Sequence, residues 1–186
     1  MTLASHGDSD TGNIQITYLD PDTNDKHTHV QLARRTFGSF NSPHGHHHYC
    51  ELVRRQNPNY SFVCEGVETA LSVYQAFPDI HLIATLGKNN FARMDPKVLN
   101  QKVVLVLDND GVNLHEDKIF RDTCKMLQDQ GKDVHYVLPP LIDGHDKTDM
   151  NDILIHHGEN ILHDVIVKGL KRVKHKQSQK RSVHFS

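Results

Sequence analysis

The stretch KVVLVLDNDG, residues 102–111, decides the fold: an unbroken apolar run from Val103 to Leu107 stops abruptly at Asp108, Asn109, Asp110 and Gly111. A strand with one wet face alternates apolar and polar residues. A strand covered by helices on both faces reads instead as a short continuous apolar run. The same signature recurs outward in both directions, as SFVCE at 61–65, IHLIATL at 80–86 and DVHYVLP at 133–139. Between these runs lie ETALSVYQAF at 68–77 and HEDKIFRDTCKMLQDQG at 115–131, whose apolar residues recur at helical spacing. Buried strands alternating with amphipathic helices predict an α/β fold, a parallel sheet flanked by helices. In 115–131 the expected buried stripe is Ile119, Cys124, Met126 and Leu127, with Gly131 as the C-cap. The segment at 149–170 reads as one or two closing helices.

Upstream the pattern differs. Ile14, Ile16 and Tyr18 alternate with polar residues ahead of the turn-rich DPDTND at 20–25, which predicts a β-hairpin appendage. Residues 38–59 read as loop around a short apolar patch from Tyr49 to Val53. The expected organisation is an N-terminal β appendage and loop over 1–59, a main domain over 60–167 and a basic tail over 168–186.

At 186 residues and 37% hydrophobic content, the chain can bury one sizeable core. No stretch reaches the roughly 20 apolar residues of a membrane span, and the first residues carry no secretory pattern, so a cytoplasmic protein without membrane contact is expected. Three cysteines, Cys50, Cys64 and Cys124, stand far apart without a CxxC, as reduced thiols do. A net charge of -2 excludes a generally basic nucleic-acid binder. The tail is the exception: from Lys168 onward it holds many lysines and arginines and no acid, and reads either as a solvated end or as a phosphate-binding run.

The informative acids close predicted strands: Glu65 ends SFVCE, and Asp108 and Asp110 end the run at 102–111. Ligands of an open parallel sheet bind outside the carboxyl ends of its strands, so these side chains are expected to converge. Alternation along extended chain lets Asp108 and Asp110 face one way and Asn109 the other. Clustered carboxylates repel unless a cation neutralises them, and an all-oxygen set selects Mg²⁺ or Mn²⁺ over Zn²⁺. A further acidic patch, Asp146, Asp149 and Asp152, precedes an apolar helix start, where Asp149 could serve as an N-cap and Asp152 as favourable first-turn charge.

EGVETALS at 65–72, LDNDG at 107–111 and DKTDMNDIL at 146–154 together resemble the Toprim domain of primases, topoisomerases and repair nucleases. With the ITYLDPD…ARRTFG segment at 16–38, the chain looks more narrowly like the variant in phage and plasmid primase-helicases and conjugative relaxases. The resemblance covers roughly residues 12–155. It implies a Rossmann-like Toprim sheet and carries roles onto matching positions. Glu65 becomes a general acid/base or metal ligand, Asp108 and Asp110 the Mg²⁺-holding pair, and Asp149 and Asp152 the downstream acids of this variant. One departure stands out: Thr69 occupies a position where many primases have an acid, with Glu68 one residue earlier.

The expected catalytic set is thus Glu65, Asp108 and Asp110, and the expected metal ligands are these with Asp149. Lys88, Arg34 and Arg35 are candidate phosphate contacts, each with an equally good reading as a solvated or capping side chain. No residue is assigned to an organic cofactor. His44, His46, His47 and His48 crowd one loop without the fixed spacing of a catalytic zinc site, and none of the tyrosines stands out as a DNA-cleaving nucleophile. The expected function is Mg²⁺-dependent phosphoryl transfer on nucleic acid, favouring single-stranded DNA. It would be the work of a primase-like nucleotidyltransferase or conjugative relaxase (mobilisation) protein, with helicase or relaxase domains supplied by another chain. The alternatives are a small Toprim nuclease and a non-catalytic nucleic-acid-binding module.

Overall fold

The computed structural model describes residues 2–4, 14–23, 34–37, 49–54 and 59–173. The histidine cluster at 44–48 and the tail beyond residue 173 lie outside them. An N-terminal antiparallel sheet has the order β1 (Thr2–Ala4), β2 (Ile14–Thr17), β3 (Arg34–Phe37). After β2, Asp20 closes the expected turn, its carboxylate accepting from the backbone N–H of Asp22 at 2.9 Å and of Thr23 at 3.2 Å.

The main sheet has six strands in the order β4 (Cys50–Val53), β6 (His81–Ala84), β5 (Tyr60–Cys64), β7 (Lys102–Val106), β8 (Asp133–Val137), β9 (Lys171–Arg172). The four inner strands are parallel, and the two outermost pair antiparallel. The α/β reading therefore holds. The sheet also draws β4 from the segment read as loop and β9 from the segment read as tail.

Strand parity explains the continuous apolar runs. Phe62, Cys64, Val104 and Val106 face α1 (Val67–Ala76), α3 (Met150–His157) and α4 (Glu159–Gly169). Val63, Val103 and Leu105 face α2 (Lys118–Asp129) and the 3₁₀ helix Lys88–Arg93. The buried stripe of α2 is Phe120, Thr123, Cys124 and Leu127, rotated from expectation so that Ile119 and Met126 flank it, only partly buried. All three cysteines are free and buried, and burial pushes the Cys124 thiol up to about 12. Among the described residues no helix is long and apolar enough to cross a membrane.

Edge strand β4 is tied to the parallel core by a buried polar chain. Glu51 Oε1 lies 2.7 Å from His81 Nε2, and His81 Nδ1 lies 2.8 Å from Ser61 Oγ. Ser61 Oγ also accepts from the Asn100 backbone N–H at 2.8 Å. With every member partnered, this network stiffens the sheet edge instead of weakening it.

Helix α2 ends as its glycine foretells. Gly131 takes φ 77°, donates to Gln128 O at 2.9 Å, and Lys132 donates to Leu127 O at 3.0 Å, a Schellman motif. Nothing lies within 4 Å of a Cβ built on Gly131, so Gly131→Ala meets only the left-handed backbone penalty. It is expected to lower stability by about 1–2 kcal/mol in urea unfolding, with the m-value unchanged.

Candidate functional site

Chain direction places the site. From β5 the chain crosses through α1 to β6 on one side, then returns to β7 on the other side and continues through α2 to β8. The carboxyl ends of β5 and β7 therefore flank the switch point of the sheet, where a crevice must open. Glu65 and Asp108 stand just beyond those two ends.

The third acidic motif is brought there by an isolated antiparallel bridge between Asn109 and Thr148. Asn109 N donates to Thr148 O and Thr148 N to Asn109 O, both at 2.8 Å. Because neighbours alternate sides, Asp108 and Asp110 face the same way as Lys147 and Asp149. Lys147 Nζ sits 2.9 Å from Asp108 Oδ2, while Asp108 Oδ1 is buried with no hydrogen-bond partner.

Lys88 lies in the other direction. After β6, Leu86 (φ 60°) and Gly87 (φ 140°) turn the chain back, with Gly87 N donating to Glu65 O at 3.0 Å. The Lys88 backbone N–H then reaches the Glu65 carboxylate. Its ammonium holds Asp117 at 2.7 Å and Asp110 at 3.4 Å. Asp117 is the N-cap of α2, accepting from Phe120 N at 3.0 Å.

Glu65 and Asp108 thus form a ridge between two hollows. One, a cleft of about 170 Å³, is walled by Arg34, Glu68, Thr69, Lys147 and Asp149. The other is lined by Lys88, Asp110 and Asp117 with apolar Val112, Leu114 and Leu138. Arg34 grips both oxygens of Glu68, at 2.6 and 2.7 Å, so strand β3 supplies a wall of the first cleft.

The predicted residues are therefore not all equivalent. Glu65, Asp108, Asp110, Lys88 and Asp149 gather around the crevice, and Arg34 lines it. Arg35 is exposed on the neighbouring position of the same strand, where alternation turns it to the opposite face of the sheet. Asp149 also caps α3 in a reciprocal capping box with Asp152, both bonds at 2.9 Å. Three residues not singled out for the site belong to it: Lys147, Asp117 and Glu68. No sequence signal marked Lys147, because the bridge that aims it joins segments distant in the chain. Glu68 shares the first turn of α1 with the glycine that follows Glu65.

Electrostatics set the chemistry. Burial pushes the Glu65 carboxyl up, Asp108 pushes it further, and Lys147 and Lys88 oppose both. Asp149 is likewise raised, by burial and then by the charges of Asp152 and Asp108, against hydrogen bonds from the α3 backbone. Lys147 is raised chiefly by its hydrogen bond to Asp108, with Glu65 and Asp110 adding to it. For Lys88, burial pulls down but Asp117 and Asp110 prevail, raising it.

No group of three or more His, Cys, Asp or Glu among the described residues is placed to hold a metal together. The orphaned Asp108 Oδ1 and the all-oxygen surroundings nonetheless fit a hard divalent cation, because Mg²⁺ is commonly held by only one or two carboxylates plus water and substrate phosphate.

An acid-lined crevice at the switch point of a parallel α/β sheet marks the ligand site of an open α/β domain. Residues 60–160 match the Toprim domain, more than half of the chain, which therefore belongs to the Toprim family, whose domains act on nucleic acid. Among solved structures it is similar to a DNA primase domain from Pseudomonas aeruginosa, at 15% identity and a TM-score of 0.49 over 91% of this chain. The chain spans 57% of that primase domain's length. No curated protein matches it significantly.

The raised Glu65 carboxyl gives a pH test. Its contribution to stability is fully present below the ordinary glutamate value and is lost as pH rises through the higher folded value. Glu65→Gln keeps the neutral form at all pH. Its melting temperature is expected to exceed wild type near pH 7 and to converge with it below about pH 4, measured by circular dichroism in chelator.

Proposed function

We propose that this chain is the Toprim module of a primase-like or conjugative mobilisation protein, carrying out divalent-cation-dependent phosphoryl transfer on nucleic acid. The observation that carries this reading is the ridge itself. Glu65 and Asp108 share one strand-end crevice, and one Asp108 carboxylate oxygen is buried there without a hydrogen-bond partner. In this reading Asp108 is the anchoring ligand, with Glu65, Asp110 and Asp149 around it. A bound Mg²⁺ or Mn²⁺ would neutralise phosphate charge and orient the attacking oxygen.

The remaining work falls to the chain. Glu65, with its carboxyl pushed up, accepts or returns the proton of the attacking hydroxyl. Lys88 and Arg34 exchange their acidic partners for phosphate oxygens, a small loss because partly exposed ion pairs contribute only about 0–1 kcal/mol. The basic residues beyond 168 extend the phosphate track, which suits single-stranded DNA, while Arg35, on the opposite face of its sheet, stands apart from it. The proposed parts are an N-terminal β appendage and loop over 1–59 that lends β4 to the main sheet, the Toprim domain over 60–167, and a basic tail over 168–186 that lends β9. Helicase or relaxase domains would act with it from another chain, in the cytoplasm.

Two other readings have support of their own. A nuclease would use the same raised Glu65 on water instead of a 3′-hydroxyl. A non-catalytic binding module is favoured by the lysines that already neutralise Asp108 and Asp110.

Calorimetric titration with Mg²⁺ and Mn²⁺ separates these, wild type beside Asp108→Asn, followed by incubation with labelled single-stranded DNA and nucleotides. The expected result is cation binding weakened more than roughly tenfold in the variant, with primer extension by wild type alone. Strand cleavage would transfer the assignment to the nuclease. Equal cation binding, or none, in both proteins would leave the binding module.

A further inference from the structure

Resting on the cation-dependent reading above, we infer that Lys147 is a resident counter-ion that a divalent cation displaces from Asp108, and that the displaced ammonium becomes a phosphate contact at the mouth of the first cleft. Three observations converge on it. Lys147 Nζ lies 2.9 Å from Asp108 Oδ2, and both residues line the first cleft. The charges acting on it include Glu65 and Asp110 besides Asp108, so a single ammonium serves the cluster that an incoming cation would serve. The Lys147 side chain is 56% exposed against 12% for Asp108, so the lysine can leave while the carboxylate cannot.

Geometry also says where it goes. The Lys147 backbone is fixed because Thr148, its neighbour, is buried and bridged to Asn109. Only the flexible four-carbon stem can move, and it pivots at the rim of the cleft that Arg34 and Glu68 wall. A nucleic-acid phosphate entering that cleft would meet Arg34 from β3 on one side and the freed Lys147 on the other. Lys88 is a different case. Its ammonium pairs with Asp117, the cap of α2, at 2.7 Å and with Asp110 at 3.4 Å, so giving it up to phosphate uncovers those carboxylates and leaves Asp108 as it was.

The test measures Mn²⁺ affinity calorimetrically in the full chain for wild type, Lys147→Met, Lys147→Arg, Lys88→Met and Asp108→Asn. Lys147→Met is expected to bind Mn²⁺ about five- to tenfold more tightly than wild type, the gain from removing a screened competitor. Lys147→Arg should stay near wild type, and Lys88→Met should gain less. A fluorescent single-stranded oligonucleotide supplies a second readout. Lys147→Met is expected to weaken its binding when Mn²⁺ is present and to leave it unchanged in chelator, where Lys147 is held by Asp108. An unchanged or weaker Mn²⁺ affinity in Lys147→Met, or a gain matched by Lys88→Met, overturns the proposal while loss of binding in Asp108→Asn leaves the cation site standing. Equal binding by Asp108→Asn and wild type overturns the cation reading, and this proposal with it.

Discussion

Two hydrogen bonds between Asn109 and Thr148 join what the sequence keeps forty residues apart. Without that bridge the DxD turn and the DKTDMND loop would be two unrelated surface acids. With it, the alternation of extended backbone sets Asp108 and Asp110 on the same side as Lys147 and Asp149. The bridge is itself held from behind: Thr148 is fully buried, its hydroxyl accepts from Ile142 N at 3.0 Å, and the Asn109 amide donates to Pro139 O at 2.8 Å. Side chains that could have capped a local turn are spent on registering one motif against another.

That registry creates an electrostatic problem and a provisional answer to it. Burial and mutual repulsion push Glu65 and Asp149 up, so the crevice favours any positive charge that enters. Lys147, Lys88 and Arg34 each meet part of that demand through an ion pair made by a flexible side chain. Partly exposed pairs of this kind are weak enough to exchange, whereas the carboxylates are fixed by strand ends and a helix cap. The fixed groups are acidic and the mobile groups basic, an arrangement suited to alternate between internal pairing and an external phosphate.

The parallel strands were legible because burial on both faces leaves no room for polar alternation, and the switch-point acids were legible because strand ends carry ligands. Edge strand β4 was not. It is four residues long, bulged between Glu51 and Val53, and held by the Glu51–His81–Ser61 chain, whose members are polar and distant in sequence. The α2 stripe was read one step around the helix from its true centre because Phe120 and Thr123 complete the i, i+3, i+4, i+7 set with Cys124 and Leu127, and a threonine does not look like core. Lys147 escaped for a different reason. A lysine among aspartates reads as solvated charge until the bridge that aims it is known.

The departure at Thr69 acquires a physical meaning in this frame. Thr69 is buried in α1, 2% exposed, and an acid there would be forced into the wall of the cleft beside Glu65 with no cation at hand. The acid stands instead at Glu68, one residue earlier, still lining the cleft and already gripped by both bonds from Arg34. Glu68 thereby anchors β3 of the N-terminal sheet against the cleft wall. The appendage and the Toprim core therefore meet at the site, through the Arg34–Glu68 pair on the wall of the first cleft.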